Sequence, residues 1–225
     1  MSGRDFDALS ALLERRYSCR AFRAEPVPAE AIERIVAAAG RAPSWCNAQP
    51  WQAVVTRGDE TGRFRRALLA AVAEGPPAPD MPWPEDYPGV HGVRRRICGQ
   101  QLYEAVGIAR GDRAARDAQM MRNFHLFDAP HVAIIHSEAA LGPYGAMDCG
   151  GFVTAFMLAA TALGVASVAQ ASVVAYPGAI RAHFGLPDSR QLLCAISFGY
   201  AEEGDAANGF RTGRAGLDDI LDLRG

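Results

Sequence analysis

The run DCGGFVTAFMLAATALGVASVAQAS, from Asp148 to Ser172, is the segment that any fold of this chain must accommodate. Between Gly150 and Gln170 it is the longest apolar region, yet Thr154, Thr161, Ser167 and three glycines interrupt it. A membrane span needs about 20 predominantly apolar residues in one helix. Gly164 instead divides this run into a helix and a short strand, VASVAQAS. The expectation is a buried helix, in which Gly150, Gly151, Ala155 and Ala159 admit a close helical neighbour, followed by a strand. Such a unit needs a sheet and further helices around it, and 225 residues suffice to supply them.

The rest of the chain provides both. Phe6, Leu9, Leu12 and Leu13 give residues 4–16 a helical stripe. Ile32, Ile35, Val36 and Ala39 do the same between Pro28, near a helix start, and Gly40 and Pro43, which end it. TGRFRRALLAAVAEG, VRRRICGQQLYEAVGI, GDRAARDAQMMRNFHLF and AYPGAIRAHFGLP read as helices; WQAVVTRG, HVAIIHS and QLLCAISFGYA read as strands. Helices and strands mix without the steady alternation of a doubly wound domain, and no GxGxxG follows a strand. The fold class expected is α+β in layers, as one domain over 1–225. Residues 76–125 form an excursion within it and 201–225 a polar, Gly-rich tail. The excursion opens on PPAPDMPWPEDYPGVHG, whose six prolines exclude a regular helix or central strand. It reads either as a flexible linker or, because it carries Met81, Trp83 and Tyr87, as an ordered strap over a site.

Several function classes fall away. The net charge of -2 gives no global basic field for nucleic acid. Five scattered cysteines suggest neither a disulfide framework nor a zinc site, and the histidines show no HxH or HExxH spacing. The start of the chain has no secretory or membrane-anchor pattern, so a cytoplasmic location is expected. All 23 basic residues are arginine. A Schiff-base lysine and a Walker lysine are thereby excluded, and any anion must be held by guanidinium or backbone N–H groups.

Three constellations carry chemistry. In ERRYSCRAF, Arg15, Arg16 and Arg20 flank Ser18 and suit a phosphate or carboxylate, or else form a solvated turn. In APSWCNAQPW, Ser44, Asn47 and Gln49 offer polar groups for a heteroaromatic edge, and Trp45 and Trp51 offer apolar walls. Cys46 in that stretch looks like a nucleophile, but no base or orienting group accompanies it. In the tail, Asn208, Arg211 and Arg214 are either solvated or fold back to complete an anion site.

Taken in order, these motifs resemble those of the FMN-dependent nitroreductase family. RRYSCRAF is similar to its RRSxRxF motif, APSWCNAQPW to its APSxxNxQPW motif, and GYAEEGDAANGFRTGRAGLDDI to its terminal GYPxxxxxxNxxRxxRxPLxE pattern. WCN and the stretch from Gln101 to Pro130 also look like the nitrobenzoate- or nitroarene-reductase subgroup. Tyr17 stands where the family more often has a short residue or histidine, and Gly216 where it has proline.

The resemblance implies a mixed sheet flanked by helices in an intertwined homodimer, with FMN at the interface and NADH or NADPH as electron donor. By position, Arg16, Tyr17, Ser18 and Arg20 hold the FMN phosphate, ribityl chain and ring edge, and Arg214 with Arg211 closes on the phosphate. Pro43, Ser44, Trp45 and Asn47 reach the FMN of a partner subunit. Ala169, Gln170 and Ala171 run along the isoalloxazine, with a backbone N–H near Ala171 toward flavin N5. Trp83, Tyr103 and Phe124 are the candidate substrate roof. The implied activity is ping-pong hydride transfer to a nitroaromatic or related electrophile, with no separate side-chain acid or base and no metal. The alternatives are other flavin chemistry (enone or quinone reduction, reductive dehalogenation, desaturation) and an FMN-binding protein without turnover.

Overall fold

The computed structural model describes residues 3–225. Seven α-helices and four β-strands alternate irregularly along the described residues. They are α1 (Arg4–Arg15), α2 (Ala29–Ala39), β1 (Gln52–Val55), α3 (Asp59–Glu74), α4 (Val90–Ala105), α5 (Arg113–Met121), β2 (His131–Glu138), α6 (Gly142–Ala162), β3 (Ala166–Gln170), α7 (Pro177–Phe184) and β4 (Arg190–Gly199). The strands form one sheet in the order β1-β2-β4-β3, and every neighbouring pair is antiparallel. Parallel pairing is confined to an isolated bridge between Ser18 and Ser167 at the β3 edge.

Alternation along β2 builds the layers. Ala133 and Ile135 point into a core shared with Ile32 and Ile35 of α2 and Phe152 and Phe156 of α6. Val132 and Ile134 point the other way, against Phe64 and Leu68 of α3 and Ile180 of α7. Both faces are therefore covered by helices, which is why β2 is buried at seven successive residues and reads as a continuous apolar run. The register between β2 and β4 shifts between Ile135 and His136. Leu192 and Ala195 consequently lie on the α3/α7 side while Ile196 and Phe198 lie on the α2/α6 side. At the end of β4, a Cβ on Gly199 would stand 2.6 Å from Pro130 Cδ, so this crossing requires glycine.

α6 departs from the expectation in two ways. It starts six residues before Asp148, at Gly142, with Pro143 in its first turn. It also buries only one stripe of its own chain: Gly145, Cys149, Phe152, Phe156 and Ala160 are covered, while Tyr144 (54% exposed) and Met147 (63%) face outward. By length and composition it could cross a membrane. Its buried stripe instead packs on α2 and three strands of the sheet.

The proline-rich strap is anchored at its start. Ala78 N–H donates to Ala175 O at 2.8 Å. Asp80 Oδ2 accepts from Arg181 Nη2 at 2.6 Å and from the Leu192 N–H at 2.8 Å. Beyond that bracket Met81, Trp83 and Tyr87 are exposed, and α4 has no buried residue.

Candidate active site

The two arginine motifs meet. After α1 ends at Arg15, residues 16–20 turn along the free edge of β3, held by the Ser18–Ser167 bridge and by Cys19 N–H donating to Ser167 O at 3.1 Å. The tail folds back onto this segment through Asn208. Its Oδ1 accepts from Arg20 N–H at 2.8 Å, and its Nδ2 donates to Ala21 O at 2.8 Å and Glu202 O at 2.9 Å. Asn208 is 5% exposed, so its role is to fasten the tail, a role its polar neighbourhood in the sequence did not reveal.

Together the segments enclose a cavity of about 530 Å³ lined by Arg16, Tyr17, Ser18, Arg20, Arg211 and Arg214. Leu13 and Phe210 supply apolar wall, and Cys98 of α4 closes one side. Arg16 and Arg20 are half-buried in this cavity, whereas Arg211 and Arg214 line it from an exposed tail.

The electrostatics of this cavity are one-sided. The side chain of Arg16 makes no hydrogen bond or ion pair with the protein among the described residues. Burial, and secondarily the charge of Arg214, lower its pKa from the ordinary value. Burial likewise lowers that of Arg20, whose Nη1 donates only to the Ser18 carbonyl at 3.2 Å. Glu14 is the one carboxylate in the lining; it is exposed and joins no ion pair among the described residues. Clustered guanidinium groups partly withdrawn from water repel one another unless an anion joins them. Arg211 lies over the Tyr17 ring with its guanidinium carbon 3.7 Å from the centroid. Burial first, with help from the Cys19 thiol, pushes the Tyr17 phenol up to about 12, so it is a neutral donor at working pH. The donor set fits a phosphate monoester: four guanidinium groups, a hydroxyl at Ser18 and a single exposed carboxylate at Glu14.

The other sequence-predicted residues lie outside this cavity within one chain. Pro43, Ser44, Trp45 and Asn47 form an exposed turn beside α6. Ser44 Oγ accepts from Gln49 N–H at 2.9 Å, and Asp148 Oδ2 accepts from Trp45 N–H at 3.1 Å. The turn holds Cys46, Asn47 and Gln49 in the left-handed region (φ 52, 54 and 48°), a conformation costly for cysteine and glutamine. Trp45 meets Tyr144 edge-on at 4.1 Å, whereas Trp51 stacks on Phe152 at 5.5 Å as part of the core. No hydrogen bond reaches the Cys46 thiol among the described residues, so nothing activates it as a nucleophile.

Along β3, Ala169 and Ala171 are exposed and Gln170 is buried. The Gln170 side chain points inward, accepting from Ser197 Oγ at 2.6 Å and donating to Asn123 O at 3.0 Å. Its side chain is therefore not available at this edge. Among the candidate substrate residues, Trp83 is exposed on the strap and Tyr103 lines a second cavity beside α4. Phe124 needs correction: it is 7% exposed, packed in the α3/α7 core and edge-on to Tyr176 at 5.6 Å, so it cannot line a substrate site.

Known proteins resemble this chain in sequence and fold. The sequence profile described as Nitroreductase family matches residues 13–200. Nitroreductase NfnB of Mycolicibacterium smegmatis is 38% identical over 213 residues, covering 94% of this chain and 91% of that protein. A 4-nitrobenzoate reductase of Pseudomonas putida is 32% identical, covering 93% of this chain and 91% of the relative. A crystal structure of the FMN-dependent nitroreductase NfnB from Mycobacterium smegmatis in complex with NADPH superposes with a TM-score of 0.93 at 37% identity, covering 97% of this chain and 99% of that one. The α+β layers and these matches agree, and the chain belongs to the nitroreductase family.

Proposed function

We propose that the protein is an FMN-dependent NAD(P)H oxidoreductase that reduces nitroaromatic or related electrophilic compounds by a ping-pong mechanism. The observation that carries this reading is the meeting of Arg16, Arg20, Arg211 and Arg214 in one cavity without an ion-paired carboxylate. When bound, FMN supplies the redox chemistry, taking a hydride from the nicotinamide and delivering it to the acceptor.

The chain's residues bind and orient. Arg16, Arg20 and Arg214 hold the phosphate by charge-assisted hydrogen bonds, and Arg211 stays fixed beside it by its stacking on Tyr17. Ser18 and Tyr17 offer hydroxyl donors along the ribityl chain. The small exposed side chains of Ala169 and Ala171 would leave room for a planar ring along the β3 edge, and a backbone N–H near Ala171 would donate to it. No general acid or base is required of the protein. The absence of an activated nucleophile around Cys46 is consistent with that chemistry.

The working unit in this reading is a homodimer in the cytoplasm, each chain a single domain. The exposed turn at Pro43, Ser44, Trp45 and Asn47 completes the flavin site of the other subunit. The outward face of α6, with Tyr144 and Met147, supplies the apolar contact between them. The same interface would cover the exposed Phe6, Leu9 and Leu13 of α1.

The purified protein is expected to carry the yellow flavin spectrum or to acquire it on adding FMN. Anaerobic NADPH or NADH should bleach it, and 4-nitrobenzoate or nitrobenzene should restore it. Protein that stays colourless after FMN addition overturns the proposal. A bleached flavin that quinones or enones reoxidise while nitroarenes do not would move the chemistry elsewhere within the fold.

A further inference from the structure

We propose that Gln170 is a positioning residue for hydride transfer, a role that rests on the flavin reading above. Clamped between Ser197 of β4 and Asn123 just after α5, it holds the backbone of residues 169–171 where the flavin ring lies.

β3 is an edge strand. Among the described residues its outer side is bridged only at Ser167, to Ser18. Beyond that bridge it pairs with β4 alone, and Gln170 is its last residue. Strand ends with few contacts open locally at little cost. Here the inward side chains prevent it. Val168 and Gln170 are buried, whereas Ala169 and Ala171 are exposed. Successive side chains of a strand point to opposite faces, so fixing Gln170 inward fixes its two neighbours outward.

Both ends of the Gln170 amide are engaged. Oε1 accepts from Ser197 Oγ at 2.6 Å, and Nε2 donates to Asn123 O at 3.0 Å and to Asn123 Oδ1 at 3.3 Å. Ser197 is fully buried and stands opposite Val168, on the diagonal from Gln170. Asn123 donates in turn through Nδ2 to Met120 O in the last turn of α5, at 3.0 Å. A buried polar network with its partners in place is rigid.

The stretch that supplies Asn123 is strained. Leu126, Phe127 and Asp128 are three successive residues in the left-handed region (φ 57, 50 and 62°), a costly conformation that persists only where the surroundings impose it. Phe127 is buried in a small core with Val168 of β3 and Cys19 of the first arginine motif. One short stretch thus supports β3 at two alternate residues, Val168 through Phe127 and Gln170 through Asn123. Backbone strain of this kind collects at functional sites. What it supports here is the strand along which the ring is placed. A misplacement of about 1 Å in reacting groups costs about 100-fold in rate.

The test uses Gln170→Met, which keeps the length of the side chain and removes both ties, and Ser197→Ala, which removes one. Three quantities are compared with the unsubstituted protein: amide hydrogen exchange at residues 168–171 without FMN, the FMN dissociation constant, and the rate constant of anaerobic flavin reduction by NADPH per bound flavin. Gln170→Met should exchange at least ten-fold faster and reduce its flavin about ten-fold more slowly, with FMN affinity within about three-fold because the arginine cavity is untouched. Ser197→Ala should move both rates in the same direction by about three-fold, and it carries the test if Gln170→Met does not fold. Unchanged exchange overturns the proposal. So does lost FMN affinity in protein whose remaining flavin is reduced at the original rate, which would make Gln170 a packing residue only. If the unsubstituted protein binds no FMN, the flavin reading falls, and the exchange measurement still decides whether Gln170 holds the strand.

Discussion

Arg214 and Asn208 stand six residues apart in the tail and do different work. Arg214 lines the arginine cavity, and its contacts with the protein are to Thr212 and Gly213 in its own turn. Removing it should take away a phosphate contact and leave the fold alone. Arg214→Ala is expected to weaken FMN binding ten- to hundred-fold, since a hydrogen bond to a charged group is worth about 1.5–3 kcal/mol. The melting temperature of FMN-free protein should stay within about 1 °C. Asn208→Ala strips the partners from Arg20 N–H, Ala21 O and Glu202 O at once. Each buried group left unsatisfied costs about 1–3 kcal/mol, so this variant should melt lower even without FMN and expose the tail to protease. Equal thermal effects of the two substitutions would contradict the division of roles. From the sequence, Arg16, Arg20, Arg211 and Arg214 were candidates for an anion site, and the family resemblance was what joined the two ends of the chain; the structure brings all four to one cavity. The inward turn of Gln170 and the burial of Phe124 were not legible there. A polar residue between two alanines, and an aromatic beside Asn123 and His125, carry no local sign of which side the sheet will cover.

Among the elements, β2 shows how tertiary contacts fix a titration state. His131 is 1% exposed at its first position and stacks with Phe198 at 5.1 Å. Its Nε2 accepts from Val27 N–H at 2.9 Å, which places the proton on Nδ1, facing Thr56 O at 3.0 Å. An imidazolium would set a second N–H against that of Val27. Burial, the larger cause, lowers the His131 pKa below its ordinary value, and burial with the charge of Arg190 does the same for His136. The unfolded chain therefore binds protons that the folded one refuses. The stabilising contribution is fully present above the unfolded value of about 6.5 and is lost as pH falls through it toward the lower folded values. A melting temperature that declines below about pH 6.5, with a shallower decline in His131→Gln, is the expected outcome; equal slopes would remove His131 from the account. Element type was largely legible from periodicity, as in α2 between Pro28 and Gly40. Ends were less so. α6 begins at Gly142 because Pro143 suits a first helical turn, whereas the glycines at 150 and 151 drew attention to the middle of the helix.

For the whole molecule, the surface is informative where it is apolar. Trp45, Tyr144 and Met147 stand exposed together around the N-terminal half of α6, which one chain leaves half covered. A homodimer that buries this face should appear in light scattering at twice the mass of one chain. Met147→Arg would bury an unpaired charge there, which costs about 2–5 kcal/mol, and should shift the protein toward monomer. The same substitution should reduce FMN affinity at least ten-fold although Met147 lines neither cavity, because the turn at Pro43–Asn47 would no longer reach the neighbouring site. A monomeric variant that keeps full FMN affinity would mean each chain holds the cofactor unaided.

The arginine cavity joins Arg16, just after the first helix, to Arg214 in the tail. During translation, the first of these leaves the ribosome long before the second is made. α2 to α7 and all four strands lie between them in the chain, whereas the proposed phosphate cradle is incomplete until Arg214 has cleared the exit tunnel. In the proposed reading cofactor loading would follow the synthesis of Arg214, and a chain stalled or clipped before that residue should bind FMN weakly.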